Sequence, residues 1–129
     1  MDVYVVFAES PTRKWWDALT CSGFRHCLTF IPCDEELWLS LDVVCGQISI
    51  RHWMENPVQV CADSTIGLLF TAVKFTLAEK TPIRYPLRLL TCVGLAKAAI
   101  GVRAWWVWTP KQLHTYLLKH GGEIRWRAS

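Results

Sequence analysis

Prolines and glycines cut the first half of this chain into short apolar pieces, and pieces of that length pack as strands far more readily than as helices. Val3-Tyr4-Val5-Val6-Phe7 is rich in β-branched and aromatic residues and reads as a buried strand over residues 3–8, broken by Ser10-Pro11-Thr12. A short helix over residues 14–20 presents Trp15, Trp16 and Leu19 at helical spacing. Ser22-Gly23 then turns the chain into a second strand, which carries His26 and runs to Ile31. Residues 32–36 form a tight acidic loop, and residues 37–44 return antiparallel. Gly46 sets off a further strand over 47–53, and Pro57 opens another extended stretch over 58–62.

In the segment 63–80, Val73, Phe75 and Leu77 alternate with Lys74 and Thr76, which favours a strand. Its first half, Ser64-Thr65 and the apolar run after it, suits a helix equally well. Pro82 and Pro86 mark a loop, after which Thr91 can cap a helix that runs from Cys92 to Ile100 and stops at Gly101. A last helix opens at Thr109-Pro110, with Gln112 completing a capping-box pattern. It buries Leu113, Tyr116 and Leu117 and stops at Gly121-Gly122. The expected fold is α+β, an antiparallel β-sheet with packed helices. A chain of 129 residues can bury one core but not two, so a single domain over 1–129 is expected.

With 52% hydrophobic residues and eight tryptophans, the chain is not a disordered one. Its net charge of +3 is scattered among acids and forms no basic stripe, so no nucleic-acid partner is expected. Arg125-Trp126-Arg127 reads as a solvated tail. The most apolar stretch, residues 66–78, is short and interrupted by Lys74, which predicts no membrane span. The sequence opens on a strand, with Asp2 in place of a basic lead, so no secretory signal is expected and the chain should mature in a cytoplasm. Cytosolic thiols stay reduced, and the six cysteines include no C-x-x-C pair, so neither disulfides nor a metal site nor another cofactor is expected. Five of the six read as small buried hydrophobes.

The sixth is Cys92. Its place in the first turn of a capped helix sets the thiol among free backbone N–H groups and at the positive end of the helix dipole, which favours the thiolate. A thiolate so placed is a nucleophile if a histidine can reach it. His26, within Gly23-Phe24-Arg25-His26-Cys27, is the candidate base, and it precedes the cysteine in the chain.

This order, with the motifs Gly23-Phe24-Arg25-His26-Cys27, Trp38-Leu39-Ser40-Leu41-Asp42 and Thr91-Cys92-Val93-Gly94-Leu95-Ala96-Lys97-Ala98-Ala99-Ile100-Gly101, resembles the circularly permuted papain-like (NlpC-like) superfamily. In that superfamily a histidine on an early strand meets a cysteine at the start of a later helix, the reverse of the order in ordinary papain-like enzymes. The tail Thr109-Pro110-Lys111-Gln112-Leu113 is similar too, so the likeness extends from about residue 3 to residue 122. The commonest pattern has an asparagine before the cysteine, where this chain has Thr91. The resemblance implies a cysteine amidase or peptidase of the small kind often encoded by bacteriophages, located in the host cytoplasm or in a virion. Relatives cleave peptidoglycan peptides, act as amidases or move lipid acyl chains, and nothing in the residues selects among these substrates. The alternative is a non-catalytic virion or assembly protein that keeps the fold and contacts other phage structural proteins.

His26 shares a strand face with Phe24, Leu28 and Phe30, which points it toward a covered layer, as a base or equally as a core histidine bonded to backbone. If the 32–36 loop closes symmetrically about Asp34, Asp42 pairs directly with His26 and can orient the imidazole; a one-residue slip would turn it to the other face and leave it a solvated strand-end carboxylate. His52 is a competing base, alternating with Ile48 and Ile50. His114 and His120 suit surface and helix-end positions, and Lys97 a solvated helix face. Arg25 suits exposure rather than anion binding. Trp105, Trp106 and Trp108 suit core packing better than the wall of a cleft.

Overall fold

The computed structural model describes residues 1–8, 26–44, 47–63, 70–77 and 91–127. The expected helix over 14–20, the segment 64–69 and the loop with Pro82 and Pro86 lie outside the described residues, as do Phe24, Arg25, Cys21 and Cys45. The elements run β1 (Asp2–Ala8), β2 (His26–Pro32), β3 (Trp38–Val44), β4 (Gln47–Trp53), α1 (Pro57–Asp63), β5 (Phe70–Thr76), α2 (Cys92–Ile100), α3 (Pro110–Lys119) and β6 (Glu123–Arg127). The strands form one antiparallel sheet in the order β4-β3-β2-β1-β5-β6, and the fold is α+β. No described helix is long and apolar enough to cross a membrane.

Period-two alternation sends the side chains of the central strands into two separate cores. Val3, Val5 and Phe7 of β1, Cys27 of β2 and Val73 of β5 pack under α2 and α3, against Val93, Ala96, Ile100, Leu113 and Leu117. Val6, Phe30 and Ala72 point the other way, toward Val60 of α1. With both faces of β1 covered, its continuous apolar run is explained.

Two expected elements differ. Residues 58–62 are not extended but form most of α1, because Asn56 caps them: its Oδ1 accepts from Val58 N at 2.9 Å and its carbonyl from Val60 N at 3.0 Å. Pro57 at the first helical position suits that start. The supposed C-terminal tail is β6, an edge strand on β5 with a register shift between Ala72 and Val73.

The turn between α3 and β6 depends on two glycines. Gly121 adopts φ 92, and Gly122 donates its N–H to the Leu117 carbonyl at 2.7 Å. A Cβ on Gly122 would lie 2.7 Å from that oxygen, 2.9 Å from its carbon and 3.0 Å from Val73 Cγ1. Backbone cannot move aside as a side-chain tip can, so Gly122→Ala is expected to destabilise by about 1–3 kcal/mol. Urea unfolding checks this; an unchanged midpoint would mean that the turn relaxes freely.

Candidate active site

Helix α2 starts as its sequence dictates. Thr91 is extended, at φ −124 and ψ 160, and its hydroxyl accepts from Gly94 N at 2.9 Å. Cys92 is therefore the first helical residue, at the end where backbone N–H groups have no intrahelical acceptor. Gly101, at φ 74, closes the helix in the left-handed conformation.

Across from it, the Nε2 of His26 lies 2.6 Å from Oδ1 of Asp42. The same oxygen accepts from Val43 N at 2.7 Å, which fixes the carboxylate. With Nε2 committed to Asp42, Nδ1 is the ring nitrogen left for the thiol. The imidazole and carboxylate side chains are 21% and 23% exposed, so the pair borders solvent rather than being sealed in the core.

The route by which Asp42 meets His26 differs from the symmetric hairpin. Cys33 N donates to Leu37 O at 2.8 Å, and Asp34 Oδ1 accepts from Glu36 N and Leu37 N, both at 2.9 Å. This turn is centred on Glu35, and the strands pair Phe30 with Ser40 and Thr29 with Leu41. Continued, that register would set Asp42 opposite Leu28 rather than His26. A displacement of two residues keeps the side chain on the same face, where one residue would not. The β2–β3 pairing ends at Thr29–Leu41, and beyond it the His26–Asp42 contact joins the strand ends.

The strand face expected for His26 also differs. Leu28 and Phe30 belong to the α1 side, whereas the residue that points beneath α2 is Cys27. His26 reaches Cys92 from the first position of β2, and Cys27 reaches it from below. Both hydrogen-bond the Cys92 sulfur.

These contacts set the protonation states. The Cys27 thiol bonds to Cys92, burial resists the charge, and the His26 bond and positive charge oppose that resistance, so the Cys92 thiol falls from 9.0 to about 5. For His26, burial disfavours the imidazolium, but the bonds to Asp42 and Cys92 outweigh it and raise the ring from 6.5 to about 10. Cys27 is held well above its ordinary range by the same bond and by burial, so it remains a neutral donor. Between these limits the pair is a thiolate–imidazolium ion pair, and the two titrations belong to the pair rather than to either residue alone.

Other sequence expectations divide. His52 is exposed and sits opposite Leu39, away from the His26 end of the sheet. His120 ends α3, its Nδ1 2.8 Å from the Tyr116 carbonyl, as a helix-end histidine should. His114 is buried, edge-on to Phe7 at 5.3 Å, not at the surface. Lys97 is buried too: the loop after α2 folds back over it, and its Nζ donates to the Val107 carbonyl at 3.0 Å. Cys33 is exposed, against the expectation of a buried hydrophobe. Trp105, Trp106 and Trp108 are exposed, not in the core.

Cys27 is the functional residue that the sequence reading passed over. Strand parity held the signal, since Cys27 alternates with Ile31 on the face that an apolar helix must cover. Among the described residues, no three histidine, cysteine or carboxylate side chains gather as metal ligands.

No family model, curated protein or solved structure matches the chain.

Proposed function

We propose that this chain is a cysteine hydrolase of the permuted papain-like kind, acting on amide or ester bonds by acyl transfer. The observation that carries the reading is the convergence of a helix-start thiol, Cys92, with an imidazole held by a carboxylate, His26 on Asp42. Nucleophile, base and orienter are the three parts such chemistry requires.

Cys92 Sγ attacks the carbonyl carbon, and the C=O electrons move onto oxygen. The Cys92 backbone N–H, at the open end of α2, is placed to donate to that oxyanion. As the intermediate collapses, the C–N or C–O bond breaks and the His26 imidazolium gives its proton to the leaving group. Water then adds to the thioester while His26 takes its proton; the C–S bond breaks, releasing the acid and restoring the thiolate. Asp42 stabilises the imidazolium and holds the ring, without itself taking a proton. Thr91, in place of the commoner asparagine, serves as the helix cap.

A nitrophenyl ester of a short acid tests this at pH 6, where ordinary thiols are protonated. The expected result is one acyl group per chain, located on Cys92 by peptide mass, and none on Cys92→Ala. Acylation that instead tracks the exposed Cys33, or persists at the same level in Cys92→Ala, would overturn the reading.

A further inference from the structure

Three tryptophans in the loop between α2 and α3 are exposed against the usual sorting of side chains: Trp105 at 74%, Trp106 at 55% and Trp108 at 64%. The residues that alternate with them, Ala104 and Val107, are buried in the α2–α3 core. The loop thus plugs its two small side chains inward and holds its three largest in water, although burial of an indole would stabilise the fold more. Several contiguous exposed aromatics mark an interaction surface rather than scatter.

The loop is also firmly held. Val107 N donates to the Ala104 carbonyl at 3.2 Å, and Lys97 Nζ to the Val107 carbonyl at 3.0 Å. Gln112 Oε1 accepts from Trp108 N at 2.8 Å and from Thr109 N at 3.1 Å. The tryptophans are presented on a fixed backbone, so little ordering is lost when something binds them.

Charge points to the occupant. Between residues 91 and 122 the exposed charged side chains are Arg103, Lys111 and Lys119, with no aspartate or glutamate among them; Lys97 is buried. Arg103 and Lys111 flank the tryptophans in the chain, and both are exposed. Indoles between cations suit the headgroup region of a bilayer with anionic lipid, where the ring sits at the interface and the cations meet phosphate. A second copy of the same loop would meet like charge. A sugar chain calls for ring faces lying in line, whereas Trp105 and Trp106 stand at 89° to each other.

We propose that residues 103–111, the α2–α3 loop and the first residues of α3, dock this protein on the surface of an anionic bilayer. The proposal stands independently of whether Cys92 is a nucleophile.

Flotation with vesicles of phosphatidylcholine alone, or with about a third phosphatidylglycerol, tests the proposal. The protein should float with the anionic vesicles and release as salt rises. Each of Trp105→Ser, Trp106→Ser and Trp108→Ser should weaken partitioning about tenfold. Arg103→Ala and Lys111→Ala should each weaken it about fivefold. Cys92→Ala should float as wild type does, and circular dichroism should show the tryptophan variants folded. Failure to float with either vesicle overturns the proposal, as does flotation that ignores the tryptophans. Binding to peptidoglycan sacculi or self-association in sedimentation, lost in the same variants without any vesicle binding, overturns it in favour of those partners.

Discussion

Replacing His26 with alanine should move the pH midpoint of Cys92 alkylation from about 5 up toward 9, and the rate curves of the two proteins should cross. At pH 6, a full return to an ordinary thiol leaves about a thousandth of the thiolate. A more basic thiolate is intrinsically more nucleophilic, and over four pH units that recovers roughly 40- to 100-fold. The net loss at pH 6 is therefore about 10- to 25-fold. Above about pH 7.5 the variant should react faster than wild type, because the wild-type thiolate is already saturated and is the weaker nucleophile. A single rate at neutral pH would miss the effect; iodoacetamide kinetics from pH 4 to 10 on Cys92, read by peptide mass, will show it.

Cys27→Ala gives a second arm. Its thiol is the first of the contacts that lower Cys92, so this variant should also raise the midpoint. On the proposed mechanism it should nevertheless keep acyl transfer, because the His26 imidazole that would protonate the leaving group is intact. His26→Ala should lose acyl transfer altogether. In the wild type, activity should plateau between a low limb near 5, where the thiolate is protonated, and a high limb near 10, where the imidazolium is lost. A Cys92 midpoint that ignores His26 would sink the thiol–imidazole pair.

Phe7→Ala should be the most damaging single change in the core, at about 3–5 kcal/mol. Phe7 is fully buried on the central strand, paired with Cys27 on one side and Thr71 on the other, with its ring edge-on to His114. No neighbour can collapse into the space without shifting a strand that is bonded on both edges. A domain stable by about 5–15 kcal/mol would lose a large share of its margin. Urea unfolding should show the loss, and Cys92 alkylation at pH 6 should weaken with it, since Cys27 is the cross-strand partner. The same truncation at Trp105, exposed on the loop, should stay within about 0.5 kcal/mol. A Phe7→Ala loss below 1 kcal/mol would mean that the core is far more plastic than its burial implies.

What the sequence made legible was local. The ends of α2 and α3 follow from Thr91, Gly101, Thr109, Gln112 and Gly121, each acting within a few residues of itself. The placement of Cys92 followed from the same signals. Where the reading failed, the deciding contact was remote or depended on a side chain closing a turn. Val58 and Val60 looked extended until Asn56 supplied a cap and the sheet a face to cover. Arg125-Trp126-Arg127 became a strand only because β5 offered an open edge. The hairpin register turned on Asp34 accepting two backbone N–H groups, which moved the turn centre by one residue and the pairing by two. Lys97 and the tryptophans were misplaced together, because the loop that buries one is the loop that exposes the others.

The strand order also bears on how the chain is made. Strand β1 sits in the middle of the sheet, yet it is translated long before β5, the neighbour that closes its second edge. At about 5–20 residues per second, several seconds pass between the two. During that time Val3, Val5, Val6 and Phe7 lie on a half-built sheet with a bare flank, a template for pairing with another nascent chain. The sheet can close only after translation of β5, and the helices that cover its Cys92 face come later still. The Cys92 helix is thus added late, to a framework that has already had to survive incomplete.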